Sequence, residues 1–471
     1  MAHSLADWLA AQGAWIAPSI QLKAGPSSSS SSSTFVEATS FIHAGTTRKS
    51  TLARIPLDLV LSHRSSALAT ALDGDDPLAA HAPALRLAVH AAHEIAQGSR
   101  SRWATYLALC PPREAVPIAL LWEGDAQRWT RGTELAKECD RIGVNKAVLE
   151  RFYDDVALPL LSSLPSTSST SPASLSTFLH AYTLVSSRAF QVSSFHPLAL
   201  VPLADAFNHS DPPHVHLASD AWVCPECGTL GACAHDDEGE GEPGPESAHE
   251  PPRTSAAPDE ADTVDMVCER DVESGDEVFN TYGSALSNAH LVAAYGFLLE
   301  GNEHDVVSFE RRGALETLVR LVEATGCRVW SLDELERELD ELGAAWRTTS
   351  SGGPLLDADH PLIAPPSPLT SSSPSLDFFI DADARISPSL WLAVALVARH
   401  AASGTLPSAS RRDDAPPAAK RARSTALRTE VEAARFLMWG EVDDPSLRLA
   451  IEFLAGERLL IDRVVSQWTF V

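Results

Sequence analysis

The spacing of apolar positions changes period several times along the chain. Ser4 followed by Leu5, Trp8 and Leu9, with Asp7 set to return a capping contact, predicts a short amphipathic helix. The serine run Ser27 to Ser33 reads as a surface loop. Beyond it, TFVEATSFIHAGTTRKSTLARIP alternates and breaks at Gly45, which predicts two short strands joined as a β-hairpin. From Pro83 to about Leu161 the spacing moves to three and four, through Leu85, Val89, Ala92 and Ile95, then IALLWEG, then LERFYDDVALPLL. This is a helical block.

A Ser/Thr/Pro-rich connector, SSLPSTSSTSPAS, precedes LSTFLHAYTLVSSRAF, where Leu175, Phe178, Leu179, Tyr182 and Val185 form one apolar stripe of a helix ending at Ser187 and Arg188. VDMVCERDVESGDEVFNTYG predicts two strands about the turn Ser274-Gly275-Asp276. The segments ALETLVRLVEATG, LDELERELDELGAAW, SLWLAVALVARHAA and LRTEVEAARFLMWG have helical spacing and are broken by two Pro/Ser-rich loops. Short strands interrupted by a helical block and closed by a helical C-terminal half fit an α+β fold. The order by itself names no function.

Composition bounds the picture. With 471 residues, 44% of them hydrophobic, the chain can bury a sizeable core in two or three domains. Its 63 acidic and 36 basic side chains leave a formal charge of −27, which argues against direct nucleic-acid binding and against anionic membranes. A basic protein partner fits better. Residues 236–262 carry ten acidic side chains against one Arg, with Pro and Gly throughout, and read as a solvated, disordered insertion. The opening MAHSLADWLAAQGAW has no basic stretch followed by an apolar one, and no window approaches eighteen apolar residues. These features predict a soluble intracellular protein, cytoplasmic in the first instance. Seven scattered cysteines predict reduced thiols rather than a disulfide framework.

Four polar residues stand inside apolar runs where a simple core would use Leu or Val. Asn208 and His209 lie in LVPLADAFNHS, and Tyr282 and Tyr295 lie in SGDEVFNTYGSALSNAHLVAAYGF. Taken alone, His209 is a core histidine satisfied by a backbone carbonyl. Asn208-His209-Ser210 is formally a glycosylation triplet, which chance also produces.

Together, SSRAF, LVPLADAFNHS, ESGDEVFNTYG and SNAHLVAAYGF, in that order, carry a family resemblance. The chain resembles the SET-domain protein methyltransferases, in the branch of the Rubisco large-subunit lysine methyltransferase and the fungal ribosomal-protein and elongation-factor lysine methyltransferases. The resemblance implies a SET-domain β-fold of short strands formed by 1–82 and 171–300, with a helical insertion at 83–170. The chain's own residues add a Cys-rich and acidic insertion at 222–262, and the resemblance implies an all-helical substrate-binding domain at 301–471. The cofactor implied is S-adenosyl-L-methionine. Asn208 and His209 match positions that hold it, beside a knot-like crossing with the segment ending in the Tyr-Gly motif. Arg188 matches a residue that contacts both cofactor and substrate, a fixed cation suited to a carboxylate. Asp205 matches the substrate side, and Tyr282 matches the catalytic tyrosine, with an orienting role rather than that of a base. Tyr295 and Phe297 match aromatic positions around the cofactor and the lysine channel. Two departures stand out. Where the family has a Gly-rich stretch, this chain has SSSSSSSTFVEATSFI; amides around Thr34 can serve the cofactor contact that the resemblance implies there, although close backbone approach is harder without glycine. Val192 stands where a relative has a second Arg.

The stretch VCPECGTLGACAHDD sets Cys224, Cys227, Cys233 and His235 at C-x2-C-x5-C-x-H spacing. Four N/S donors within twelve residues suit a small structural Zn2+ site, with Cys268 as a substitute for His235. Free thiols on an exposed loop are the alternative. A catalytic metal is not expected, because methyl transfer needs no Lewis acid. RRDDAPPAAKRARS from Arg411 reads as a basic loop, with nuclear import as a second reading.

The function implied is protein-lysine N-methylation of a translation-machinery protein, through a basic target segment. Two alternatives are a histidine methyltransferase of the actin-modifying type and a non-catalytic SET-fold adaptor. The missing N-terminal glycines favour the adaptor, and the intact Arg188, Asn208, His209 and Tyr282 oppose it.

Overall fold

Nine short strands lie in residues 1–121, 144–285 and 294–296, one of two compact units into which the chain divides. They are β1 (Trp15–Ile16), β2 (Ile20–Ala24), β3 (Thr34–Ala38), β4 (Thr51–Pro56), β5 (Leu61–Ser62), β6 (Ala189–Phe190), β7 (Ala199–Leu200), β8 (Val215–Ala218) and β9 (Thr263–Cys268). This computed structural model describes residues 2–24, 34–44, 50–72, 76–164, 172–219, 223–229, 233, 235, 263–323, 331–348, 378–403 and 444–468. The serine run, the acidic insertion, the Pro/Ser-rich loops, the basic segment from Arg411 and the LRTEVEAARFLMWG helix lie outside the described residues.

The central sheet has the order β1-β4-β9-β8, with every pairing antiparallel. Its stability comes from period-two burial: Val264, Met266 and Cys268 of β9 point inward, between the half-exposed Thr263, Asp265 and Val267. Leu52, Ala53 and Ile55 of β4 are buried beside them, and each large apolar side chain so buried stabilises the fold by roughly 1.5–3 kcal/mol. A second sheet runs β5-β7-β6, and β2 pairs with β3 alone.

Both strands expected in TFVEATSFIHAGTTRKSTLARIP form, but they do not form a hairpin with each other. β3 pairs with β2, and β4 pairs with β1 and β9. Of the two strands expected about the Ser274-Gly275-Asp276 turn, the first forms as β9, which pairs with β4 and β8, whereas the second does not form a strand and makes only isolated bridges. Val272 bridges Ile42, and Glu277 bridges Glu37 of β3. Alternation states that a segment is a half-buried strand, whereas the partner is chosen by surfaces far away in sequence.

Two long helices back these strands, Pro83–Gln97 and Leu175–Arg188, and they pack on each other. Proline at the first position opens one of them, and the Ser174 hydroxyl caps the other by accepting from the Thr177 N–H at 3.1 Å. The expected stripe is the buried face, with Phe178, Leu179, Tyr182 and Val185 all buried.

The second unit comprises residues 122–143, 286–293 and 297–471 and is mainly helical. Strands β10 (Val306–Ser308) and β11 (Phe379–Asp381) form an antiparallel ribbon in it. Leu315, Leu335, Leu339, Phe378, Leu392 and Leu396 make one apolar core, and Val307, Ile380, Ile386 and Leu460 make another. Among the described residues, no helix is long and apolar enough to cross a membrane.

Candidate active site

Arg188 is the last residue of the Leu175–Arg188 helix, and the chain turns extended at Ala189 to begin β6. The guanidinium Nη1 donates to the Asp205 carbonyl at 2.9 Å and to its carboxylate Oδ2 at 3.3 Å. Asp205 sits on a single 3-10 turn, Ala204–Ala206, entered through Leu203 at a left-handed φ of 78°. A branched side chain in that region costs on the order of 1 kcal/mol or more, which the buried surroundings of Leu203 offset. The same Oδ2 accepts from the Tyr106 hydroxyl at 2.9 Å. Tyr106 comes from the short helix Ala104–Leu107, which is anchored by the Trp103 indole N–H donating to the Leu59 carbonyl at 2.7 Å.

Asn208 and His209 follow at once, beside a second segment. The Asn280 N–H donates to the Asn208 carbonyl at 2.8 Å, and the Ser210 N–H donates to the Asn280 carbonyl at 3.0 Å, which makes a parallel bridge. On its other side the same segment is held by β3, with the Val278 N–H donating to the Val36 carbonyl at 2.8 Å. Residues 276–280 therefore thread between β3 and Asn208–Ser210. The Asn208 side-chain amide donates to Glu277 Oε1 at 2.6 Å. His209 Nδ1 accepts the Tyr282 N–H at 3.1 Å, which fixes that nitrogen as the unprotonated one.

Three rings then lie one on another. His209 and Tyr282 are stacked at 5.2 Å and 23°, and Tyr282 and Tyr295 at 4.9 Å and 18°. Gly296 follows Tyr295 at φ 78°, where an added Cβ would come within 3.0 Å of the Pro117 nitrogen, so only glycine lets the chain pass here.

No protein-family model matches the sequence. The chain is 28% identical, over an alignment of 239 residues, to ribosomal lysine N-methyltransferase 3 of Saccharomyces cerevisiae. That match takes in 40% of this chain and 43% of the yeast protein, so it spans less than half of that relative. Among solved structures, the SET domain of LSMT bound to lysine and AdoHcy superposes with a TM-score of 0.50 at 16% identity, covering 98% of this chain and 89% of that one. The chain has the SET-domain fold. Its mixed α+β character agrees with the sequence reading.

Within this SET fold the electrostatics of the cluster are set by burial. Burial pushes the Tyr282 phenol up to about 12, lifts Tyr295 above its ordinary value, and raises Tyr106 well above it. The neighbouring Cys110 thiol is pushed up to about 12, again first by burial and then by Asp205. Burial also raises the Asp205 carboxyl, against the pull of Arg188 and Tyr106. Burial is the largest influence on the Arg188 charge and opposes it, but Asp205 together with Cys110, Tyr282 and Tyr106 outweighs burial and holds the guanidinium protonated. The cluster therefore offers one paired cation and several neutral hydroxyls, and none of these phenols is ready to act as a base near pH 7.

Two buried donors in it, Arg188 Nε and Asn280 Nδ2, have no hydrogen-bond partner among the described residues. A buried N–H without an acceptor costs roughly 1–3 kcal/mol, which a polar ligand relieves. This is the feature that makes the SET-fold cluster fit a polar cofactor.

Arg188, Asp205, Asn208, His209, Tyr282 and Tyr295 thus come together. Thr34 is the first residue of β3, paired with Ala24, and later residues of that strand make the crossing contacts. Phe297 opens a segment of the second unit. Val192 is buried, and its carbonyl accepts from the Ser219 hydroxyl. Asn280, Glu277, Tyr106 and Cys110 were not singled out from sequence. Asn280 carried a signal, as a polar residue in VFNTYG; Tyr106 in RWATYLALC carried none.

The ligand atoms of Cys224, Cys227, Cys233 and His235 lie within 4.8 Å of one another. Cys268, the substitute ligand expected from sequence, is not in this group. It is buried in β9, opposite Val215, with its Sγ 3.0 Å from the Arg270 carbonyl.

Proposed function

We propose that this protein is an S-adenosylmethionine-dependent protein-lysine N-methyltransferase whose substrate is a ribosomal protein. The observation that carries the reading is the buried cluster in which Arg188 and Asn280 keep unused donors beside the stacked rings of His209, Tyr282 and Tyr295. The yeast ribosomal lysine methyltransferase relative and the SET fold support it.

When bound, S-adenosylmethionine supplies an electrophilic methyl group. Arg188 and the Asn208–His209 segment, held by Asn280, are the residues that would bind its polar parts. The remaining task is to present an uncharged amine. A free lysine amine has a pKa of roughly 10.4 and is mostly protonated at neutral pH. Burial among aromatic walls, near the Arg188 cation, favours its neutral form by desolvation and like-charge repulsion. Tyr282, a phenol throughout the working range, orients that amine by hydrogen bonding, and the proton leaves to water. Holding nucleophile and methyl carbon in line then supplies most of the rate enhancement.

The formal charge of −27 suits a substrate whose target segment is basic, as surface segments of ribosomal proteins are. Action in the cytoplasm follows from that substrate, with nuclear entry through the segment from Arg411 as the alternative. The test is incubation of the full chain with isotope-labelled S-adenosylmethionine and separated fractions of ribosomal proteins, elongation factors and actin. Label in a ribosomal protein, lost with Asn208→Ala, supports the proposal. Label confined to actin, or absent from every fraction, overturns it.

A further inference from the structure

We infer that Cys224, Cys227, Cys233 and His235 hold a structural Zn2+ ion that clamps the root of the insertion between β8 and β9 onto the segment following Arg188. The inference does not rest on the methyltransferase reading. The donor geometry carries the first half of it. His235 Nδ1 lies 3.6 Å from Cys224 Sγ and 3.6 Å from Cys233 Sγ. A tetrahedral Zn2+ with bonds of about 2.3 Å to sulfur and about 2.05 Å to nitrogen has S···N edges of about 3.6 Å and S···S edges of about 3.8 Å. The observed separations match the S···N edge, and all four donor atoms fall inside 4.8 Å.

The backbone around the first two cysteines is already bent for this purpose. The Gly228 N–H donates to the Cys224 carbonyl at 2.8 Å and the Cys224 N–H donates to the Thr229 carbonyl at 3.0 Å, which folds Cys224–Thr229 into a tight knuckle. Gly228 has φ 75°, the left-handed position that the knuckle requires and that glycine adopts freely. Three thiolates and one imidazole leave no open coordination position, so the ion is structural rather than catalytic.

The second half rests on where the knuckle sits. A Cβ at Gly228 would lie 3.1 Å from the Phe195 ring, so glycine and ring are in close contact. The Arg64 guanidinium covers the same ring at 5.0 Å from its centroid, donates to the Pro225 carbonyl at 2.8 Å and pairs with Glu226 at 3.6 Å. The Val192 carbonyl accepts from Ser219, just before the insertion begins, and the Ser193 N–H donates to the His196 carbonyl at 3.2 Å. Residues 192–196 are thus gripped from the insertion side, only a few positions beyond Arg188. A metal that rigidifies the knuckle rigidifies this stretch.

The experiment is elemental analysis of the purified full chain after dialysis against zinc-containing and then metal-free buffer, with parallel Co2+ loading. One zinc per chain and an intense tetrahedral, thiolate-bound Co2+ spectrum are expected. Cys224→Ser and Cys227→Ser should drop the zinc content at least tenfold, whereas Cys268→Ser should leave it at one. Amide hydrogen exchange across 192–196 should quicken when zinc is stripped. No metal in the wild-type chain together with a weak octahedral Co2+ spectrum would overturn the site, independently of how the serine variants fold. Loss of zinc in Cys268→Ser would overturn the ligand set, and unchanged exchange at 192–196 on stripping would overturn the clamp.

Discussion

Replacing Tyr282 with Phe removes one oxygen and keeps the ring in its stack, between His209 at 5.2 Å and Tyr295 at 4.9 Å. Burial pushes this phenol up to about 12, so at pH 8 only about one molecule in 10⁴ would carry a phenolate. A base available in that proportion gives up about 5.4 kcal/mol, at roughly 1.36 kcal/mol per tenfold. The hydroxyl is therefore worth what an orienting hydrogen bond to a reacting group is worth, about 1.5–3 kcal/mol, or roughly 10- to 100-fold in kcat. The sign of the pH dependence follows. A phenol with a raised pKa stays protonated through the assay range, so it adds no inflection below about pH 11, and any rise belongs to the substrate amine. Steady-state methyl transfer from pH 7 to 10 should give kcat/KM rising about tenfold per pH unit in wild type. Tyr282→Phe should run parallel and about 10- to 100-fold lower. A variant whose pH profile goes flat refutes the reasoning, because the titrating group would then have been Tyr282.

Asp205→Asn leaves the Arg188 guanidinium buried against an amide, and breaking such a pair costs about 3–5 kcal/mol; urea unfolding should show it, and an unshifted midpoint would contradict the role of the pair. Gly296→Ala forces a Cβ to within 3.0 Å of the Pro117 nitrogen at a left-handed φ, so thermal melting should drop by several degrees, for a loss of about 2 kcal/mol, and an unchanged melting temperature would count against the packing described. Acid should destabilise the first unit early, because burial lowers His63 and His196 to about 4 and His90 to about 3. With folded pKa values below the unfolded value near 6.5, the unfolded chain takes up protons first, and stability falls as pH drops from about 6.5 towards 4. Each such histidine contributes about 1.4 kcal/mol per pH unit in that window, and melts that are flat from pH 7 to 5 would rule the effect out.

Local signals were enough for the elements that carry chemistry on their own sequence. The stripe Leu175 to Val185 predicted both the helix and its end at Arg188, because period and terminus are local properties. Asn208, His209, Tyr282 and Tyr295 were legible as polar groups where a core wants apolar ones, and burial of such groups demands partners. The partners themselves were not legible. The Glu37 to Glu277 bridge joins residues 240 positions apart, and nothing in TFVEA or SGDEV specifies that pairing over a hairpin with the nearest strand. Tyr106 reads as one more apolar helical position, and only the folded chain brings its hydroxyl to Asp205 at 2.9 Å. The same limit made Cys268 look like a zinc ligand. It is near the cluster in composition but sits in β9, where its sulfur has another neighbour.

The measurement that bears most directly on the account is fragment mass spectrometry of the protein modified by this chain, read to the level of the side chain. Wild type, Tyr282→Phe and Arg188→Ala would be compared at equal concentration, with S-adenosylmethionine affinity taken by calorimetry on the same samples. Methyl groups are expected on a lysine Nζ within a basic segment, added more slowly by Tyr282→Phe at unchanged affinity, and absent with Arg188→Ala because affinity is lost. Methyl groups on a histidine ring, or a wild-type chain that binds no S-adenosylmethionine at all, would contradict the account.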